Sequence, residues 1–357
     1  MTLRAAALQR LPLVVAWHLA AEAVGLRHTR VVDVVETALG HAIEIAISTP
    51  TTVADIERVA PAIAVAFGLP RVRVMASTAR ADRVNLSLDR RLSIGAIPFT
   101  EEYNPVGLPL DPLRRFNIGL DDNGDPVRLS PYGQHILIGG NPGSGKSVAV
   151  RVFLANLAAS RDVQLCGIDP KHAELSMWSD RFTHLVLGTD AGTTVDILKE
   201  LLDLVHLRSR LLASTKGATL HPSRDNPWTV LVVDEWAEVA ASGDNKKRAE
   251  VASLLRRYVS LGRAVGCTAL LCTQRPTSDT IDVGTRALTT HRFALKCGDR
   301  HQAEAILGMG SFSPEQLTVA QPGRALWSDG GQAVAMQFFH IEDQQVAQLV
   351  KPVLKVA

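Results

Sequence analysis

The chain has 357 residues, room for two domains at roughly 150 residues each. Its 38 Lys and Arg nearly balance 36 Asp and Glu, and a net charge of +2 excludes both a uniformly basic nucleic-acid coat and an acidic disordered tail. Hydrophobic residues at 46% and charged residues at 21% describe a globular chain, while only 5% aromatics exclude an extended base-stacking platform.

The first third reads as mixed α and β. An Ala/Leu-rich helix is expected over about 4–26, and a second helical piece around 30–40. The apolar run Leu11–Leu26, broken by His18 and Glu22, falls short of the ~20 residues that span a bilayer, so a buried or interfacial helix is expected. His41–Ser48 alternates as a strand. Thr51 and Thr52 precede a helix from Val53 to Gly68. Strand signals follow at Arg71–Met75 and Arg83–Leu88, then a hairpin over 116–129 with Asn123-Gly124 at its turn.

After Pro131 strands and helices alternate, the pattern of a parallel sheet with crossover helices. Strands are expected at 135–138, 163–168, 228–233 and 268–273, with helices at 146–159, 192–215 and 246–262. A closing hairpin over 324–339 and a helix from Glu342 end the pattern. The expected division is therefore a helical segment 1–40, a small α+β domain 41–130 and an α/β domain 131–357.

Four segments carry chemistry. Gly140-Asn141-Pro142-Gly143-Ser144-Gly145-Lys146-Ser147 fits G-x-x-x-x-G-K-S between a strand and a helix. Such glycines let backbone N–H groups wrap phosphates, with Val148 in the first turn of the helix behind them. Lys146 bridges the terminal phosphates and the Ser147 hydroxyl ligates Mg²⁺. This predicts a nucleoside triphosphate site. Four apolar residues then lead into Asp234-Glu235 at a strand end, where Asp234 serves the metal and Glu235 polarises the attacking water. A third apolar strand ends in Thr273-Gln274-Arg275-Pro276, with Gln274 placed to sense the γ-phosphate. The fourth is Asp169-Pro170-Lys171 after the second strand, expected to be structural or to couple subunits.

No CxxC pair or His spacing of a metal site accompanies the four cysteines or eleven histidines, so no metal beyond Mg²⁺ is expected. The cysteines suit a reducing, cytoplasmic setting. Trp178 and Trp236 read as packing residues.

In order and spacing these segments resemble the FtsK/SpoIIIE family of DNA-translocating motors, with the plasmid-transfer TraB-like branch the nearest in feel. The elements between His41 and Leu88 are similar in order to the small domain that precedes the family's motor. The resemblance implies a RecA-like P-loop ATPase core, a homo-hexameric ring, double-stranded DNA as partner, and membrane or transfer proteins as anchors. The activity it implies is ATP-driven DNA translocation, in conjugative transfer or chromosome segregation. The alternative is a secretion or coupling ATPase that moves polypeptide. It also implies an arginine acting in trans, Arg263 first and Arg275 second. DNA contacts are expected from the loop Ser242–Arg248 through Lys246 and Lys247, and from Asp279–Arg286 through Arg286. Glu304 stands where the family usually has an arginine, with Arg300 as the nearest substitute. The family's C-terminal winged-helix domain and long membrane anchor are not expected in this sequence, so orientation on DNA is expected from a partner, or else the protein is a minimal motor.

Overall fold

The computed structural model describes residues 8 and 11–350, except 78, 92–93, 101–114, 159, 161, 278–279, 282 and 311–320. Two compact units emerge, one of residues 1–95 with 121–125, the other of 96–120 with 126–357. The division expected near Pro131 thus differs from this one, because the strands of the 116–129 hairpin pair into the larger unit's sheet while its turn, 121–125, groups with the first unit.

In the first unit, α1 (Leu13–Ala23) buries Ala16, Trp17, Ala20 and Ala21, a stripe at helical spacing. The helical piece expected around 30–40 is instead strand β1 (Thr29–Glu36). Val31, Val32, Val34 and Val35 explain the change, since branching at Cβ costs side-chain freedom in a helix and fits a pleated surface. β2 (Gly40–Ile47), β3 (Arg71–Ala76) and β4 (Arg83–Asp89) complete an antiparallel sheet in the order β1-β2-β4-β3. Between β2 and β3 lies α2 (Val53–Phe67). It opens on a capping box in which Thr52 accepts from Asp55 N and Asp55 accepts from Thr52 N, and it closes on left-handed Gly68. Ile43, Ile45, Val84, Leu86 and Leu88 meet Trp17, Ile56, Ile63 and Phe67 in one core. At the sheet's end, fully buried Asp89 accepts from Arg71 Nε at 2.8 Å, Arg73 Nε at 2.9 Å and Ser87 Oγ at 2.6 Å.

The second unit contains β5 (Ile97–Pro98), β6 (Phe116–Asp121), β7 (Pro126–Leu129), β8 (Ile136–Gly139), α3 (Lys146–Ala158), β9 (Val163–Asp169), a 3₁₀ turn (Leu175–Arg181), β10 (Phe182–Leu187), α4 (Ala191–Thr215), β11 (Trp228–Val233), α5 (Trp236–Ala241), α6 (Asn245–Leu261), β12 (Cys267–Thr273), α7 (Val283–Leu288), β13 (His291–Ala294), α8 (Arg300–Leu307), β14 (Arg324–Ser328), β15 (Val334–His340) and α9 (Asp343–Leu349). Its main path runs β10-β9-β11-β12-β8-β13-β14-β15-β6-β7, and β5 pairs with β15. The first six strands are parallel, with antiparallel β14 and β15 beside them. Alternate residues of the parallel strands face opposite ways. Ile136, Ile138, Val230, Val232, Leu270 and Cys272 pack with Phe153 and other residues of α3 and with Trp178 of the 3₁₀ turn. Leu137, Leu231, Val233, Ala269 and Leu271 pack with α4, α6 and α8. Both faces are covered, so these strands read as continuous apolar runs. The result is a three-layer α/β domain built on a mostly parallel sheet.

Cys166, Cys267 and Cys272 lie buried as free thiols, and Cys297 is half-buried. Trp178 is fully buried; Trp236 is buried and donates to Thr280 O at 3.0 Å. Among the described residues no helix is long and apolar enough to cross a membrane.

Candidate nucleotide site

The phosphate-loop motif leaves the buried end of β8 and is tied down on both sides. Gly140 N donates to Thr273 O at 3.1 Å, Asn141 N to Lys296 O at 2.9 Å, and Ser144 N to Asn141 O at 3.0 Å. Gly145 has φ +91, and a Cβ there would sit 1.9 Å from Gly323 N, so the position admits only glycine. Gly143, at φ +77, is open, with nothing within 4 Å of its Cβ position. α3 begins directly at Lys146, so its first N–H groups and the positive end of its dipole face the loop. Ser144 Oγ is buried and has no hydrogen-bond partner among the described residues. Ser147 is exposed in the first turn.

Three neighbouring strand ends supply the side chains. Lys146 Nζ donates to Asp234 O at 2.6 Å and Asp234 Oδ1 at 2.5 Å, with lysine and aspartate both buried. Burial alone would pull the lysine pKa down; the Asp234 carboxylate outweighs it, and the pKa ends above its usual value. Glu235, 1% exposed, accepts from Thr273 Oγ1 at 2.9 Å through Oε1. Gln274 N forks onto both of its oxygens, at 3.1 and 3.0 Å. Lys171 Nζ stands 3.4 Å from Glu235 Oε2 and 3.2 Å from Gln274 Oε1. Gln274 reaches Glu235 because β12 is hydrogen-bonded between β8 and β11.

This donor set fits a nucleoside triphosphate. A glycine loop with a left-handed, open position, an orphaned buried hydroxyl, a helix N-terminus and a buried ammonium together make a phosphate cradle. It also fits Mg²⁺ held by few protein groups. Ser147 and Asp234 would hold the ion, with phosphate oxygens and waters completing its shell, as magnesium prefers. Among the described residues no cluster of three or more His, Cys, Asp or Glu competes for a metal.

The remaining predicted residues have varied surroundings. Arg263 is exposed at the other end of β12, donating to Gly133 O at 3.0 Å and Gln134 Oε1 at 2.9 Å. Arg275 is exposed beside Gln274, 3.6 Å from Glu238 Oε1. Lys246 and Lys247 are exposed in the first turn of α6, behind the Asp244 cap. Arg286 donates to Glu304 O and Ala305 O at the end of α8, so its guanidinium already has an intramolecular task. Asp279 and Asp282 lie outside the described residues. Arg300 is paired with Glu304 at 2.7 Å. Buried Asp169 accepts from Lys171 N and Leu175 N, each at 3.0 Å, and so shapes the turn that carries Lys171. Sequence reasoning missed two contributors. Thr273 sits in plain view beside Gln274, but its bond to Glu235 depends on strand order. The reach of Lys171 into the site needs the β9-β11-β12 adjacency.

The fold and this constellation define a P-loop ATPase architecture. Residues 100–226, which include the phosphate loop and Asp169-Pro170-Lys171, match the model of the FtsK/SpoIIIE family. The chain is 29% identical over 210 residues to DNA translocase FtsK of Borreliella burgdorferi, a match covering 54% of this chain and 26% of that protein. It is also 29% identical over 201 residues to Protein Tra of Streptomyces lividans, covering 52% and 31%. The matches thus span less than a third of either relative. In fold it is similar to the pCW3 conjugation coupling protein TcpA, solved in a monomer form with ATPγS, at a TM-score of 0.64 and 18% identity over 93% of this chain and 97% of that one.

Proposed function

We propose that this chain hydrolyses ATP with Mg²⁺ and couples the cycle to translocation along double-stranded DNA. The observation that carries the reading is the convergence of Lys146, Asp234, Glu235 and Gln274 at adjacent strand ends over a glycine-built anion cradle. The loop amides and Lys146 bind and orient the β- and γ-phosphates. Mg²⁺ held by Ser147 and Asp234 would supply positive charge to offset that of the phosphates. Glu235 accepts a proton from the attacking water as its oxygen bonds to the γ-phosphorus; the bond to the β-phosphate oxygen breaks, and its electron pair leaves with ADP. Gln274, bonded through its own amide to Glu235, orients the same water. A DNA motor indifferent to sequence grips phosphates, and Lys246 and Lys247 are exposed for that contact. The relatives named DNA translocase support the substrate. A homo-hexameric ring, with Arg263 reaching a neighbour's site, completes the proposal, in plasmid conjugation or chromosome segregation and with membrane or transfer proteins as anchors.

ATP turnover with and without long linear duplex, alongside particle sizing with a nonhydrolysable nucleotide, tests it. Turnover should rise with duplex of any sequence, decline steeply with salt, and drop at least ~100-fold in Glu235→Gln while ATP still binds. A rate indifferent to duplex would leave an ATPase and remove the motor. Particles that stay single with nucleotide and duplex present would remove the ring.

A further inference from the structure

The ammonium of Lys171 occupies a telling position. Its two acceptors, Glu235 Oε2 at 3.4 Å and Gln274 Oε1 at 3.2 Å, are the groups that a water between base and sensor would donate to. Among the described residues every other bond to the Glu235 carboxylate comes from a buried hydroxyl or from backbone: Thr273 Oγ1 on one oxygen, Gln274 N on both. Those partners are fixed by the strands. Lys171 differs, because its side chain is 39% exposed and ends a flexible stem, so its two bonds are the ones that open without disturbing the sheet. Its backbone is nonetheless firmly placed, since the buried Asp169 carboxylate receives Lys171 N through Oδ1 and Leu175 N through Oδ2. A rigid turn therefore presents a mobile cation to the catalytic pair.

We propose that Lys171 is a restraining residue of the ATPase cycle: its ammonium fills the attacking water's place between Glu235 and Gln274, and hydrolysis begins when it withdraws. The inference rests on the reading of Glu235 as the base. It acts through Glu235 and Gln274 and leaves phosphate binding to the loop and Lys146. It also assigns the Asp-Pro-Lys turn a task distinct from the structural or subunit-coupling role expected from sequence, namely holding basal turnover low until the motor is engaged.

The test uses the full chain in parent, Lys171→Ala, Lys171→Arg and Glu235→Gln forms, with steady-state ATP turnover measured without and with duplex and each fold checked by circular dichroism. Lys171→Ala should raise basal kcat about fivefold, equivalent to about 1 kcal/mol off the barrier. KM for ATP should stay within about twofold, and the ratio of duplex-stimulated to basal rate should shrink. Lys171→Arg, which restores a donor to both oxygens, should bring basal kcat back toward the parent. A basal kcat that falls or holds steady in a folded Lys171→Ala protein overturns the restraint, as does a rise that arginine fails to reverse. Should the alanine variant not fold, Lys171→Gln takes its place with the same expectation. Glu235→Gln separates the two ideas: parental turnover in that variant overturns the base assignment, whatever Lys171 does.

Discussion

His135 offers the most direct test of how the site is held. It lies just ahead of β8 and is fully buried; Nδ1 accepts from Ala269 N of β12 at 3.0 Å, and Nε2 lies 2.7 Å from Val259 O of α6, to which it donates. It therefore joins the starts of the two strands whose far ends carry Gly140 and Gln274. Burial lowers its pKa from 6.5 to about 4, against the smaller opposing pull of the Val259 carbonyl. The folded value is the lower one, so the unfolded chain binds the extra proton. Stability is complete above the unfolded pKa and is lost as pH falls from about 6.5 through about 4. Linkage gives a loss of about 2 kcal/mol between pH 7 and pH 5, growing to about 3 kcal/mol below pH 4. Urea melts followed by fluorescence of the buried Trp178 and Trp228 at pH 7 and pH 5 measure it, comparing the parent with His135→Gln. The variant should be weaker at pH 7 and should lack the parent's extra 2 kcal/mol of pH dependence. His291, also lowered by burial, pulls in the same direction but is present in both proteins and cancels. Equal losses between pH 7 and pH 5 in parent and variant would refute the reasoning.

Gly145→Ala should cut ATP affinity at least tenfold by fluorescent-nucleotide titration, because its Cβ would strike Gly323 N and dislodge the bond from Gly323 N to Ser144 O; parental affinity would show that the loop is not held there. Asp89→Asn should lower stability by about 1–3 kcal/mol, since it removes the buried charge that Arg71 and Arg73 share and leaves them only the more distant Asp122 carboxylate at 3.5 and 3.4 Å; thermal melts followed by circular dichroism read it, and an unchanged midpoint would refute it. Arg263→Ala should preserve ATP binding, abolish turnover and, mixed with parent protein, inactivate more sites than its own share. A decline in strict proportion to dilution would return Arg263 to its bonds with Gly133 and Gln134.

What the sequence made legible follows physical range. Continuous apolar runs such as Trp228–Val233 and glycine-lysine spacing at 140–147 are local signals, and the structure places their strands, loop and helix within a residue or two of expectation. Thr52 and Gly68 mark their helix ends by local chemistry in the same way. β1 was misread because Val31–Val35 is apolar on both faces, so periodicity alone does not separate helix from strand there. β10 and β13 are not among the expected strands: polar pairs, Thr183-His184 and His291-Arg292, stand where the other parallel strands have continuous apolar runs. The hairpin at 116–129 was seen, but its allegiance to the larger sheet depends on pairing with β15, a contact far away in sequence. Side-chain meetings were hardest of all. Lys171 and Gln274 are 103 residues apart, and nothing local announces that they touch.

That dependence on strand order is also what makes the site work. In sequence the phosphate loop comes first, then Asp-Pro-Lys, then Asp-Glu, then Thr-Gln; in space β12 is inserted between β8 and β11. The late insertion puts Thr273 O on Gly140 N on one side and Thr273 Oγ1 on Glu235 on the other. One threonine thus anchors the phosphate loop with its carbonyl and the proposed base with its hydroxyl. Any movement of β12 relative to β8 shifts the base against the phosphate it serves. Two short routes join Arg275 to Glu235: Gln274, whose amide bonds the carboxylate and whose side chain meets Lys171, and Thr273 Oγ1, which accepts from Arg275 N at 3.1 Å and donates to Glu235. The proposed coupling of hydrolysis to movement would run along these routes, which exist because the parallel sheet places β12 between β8 and β11 rather than at an edge.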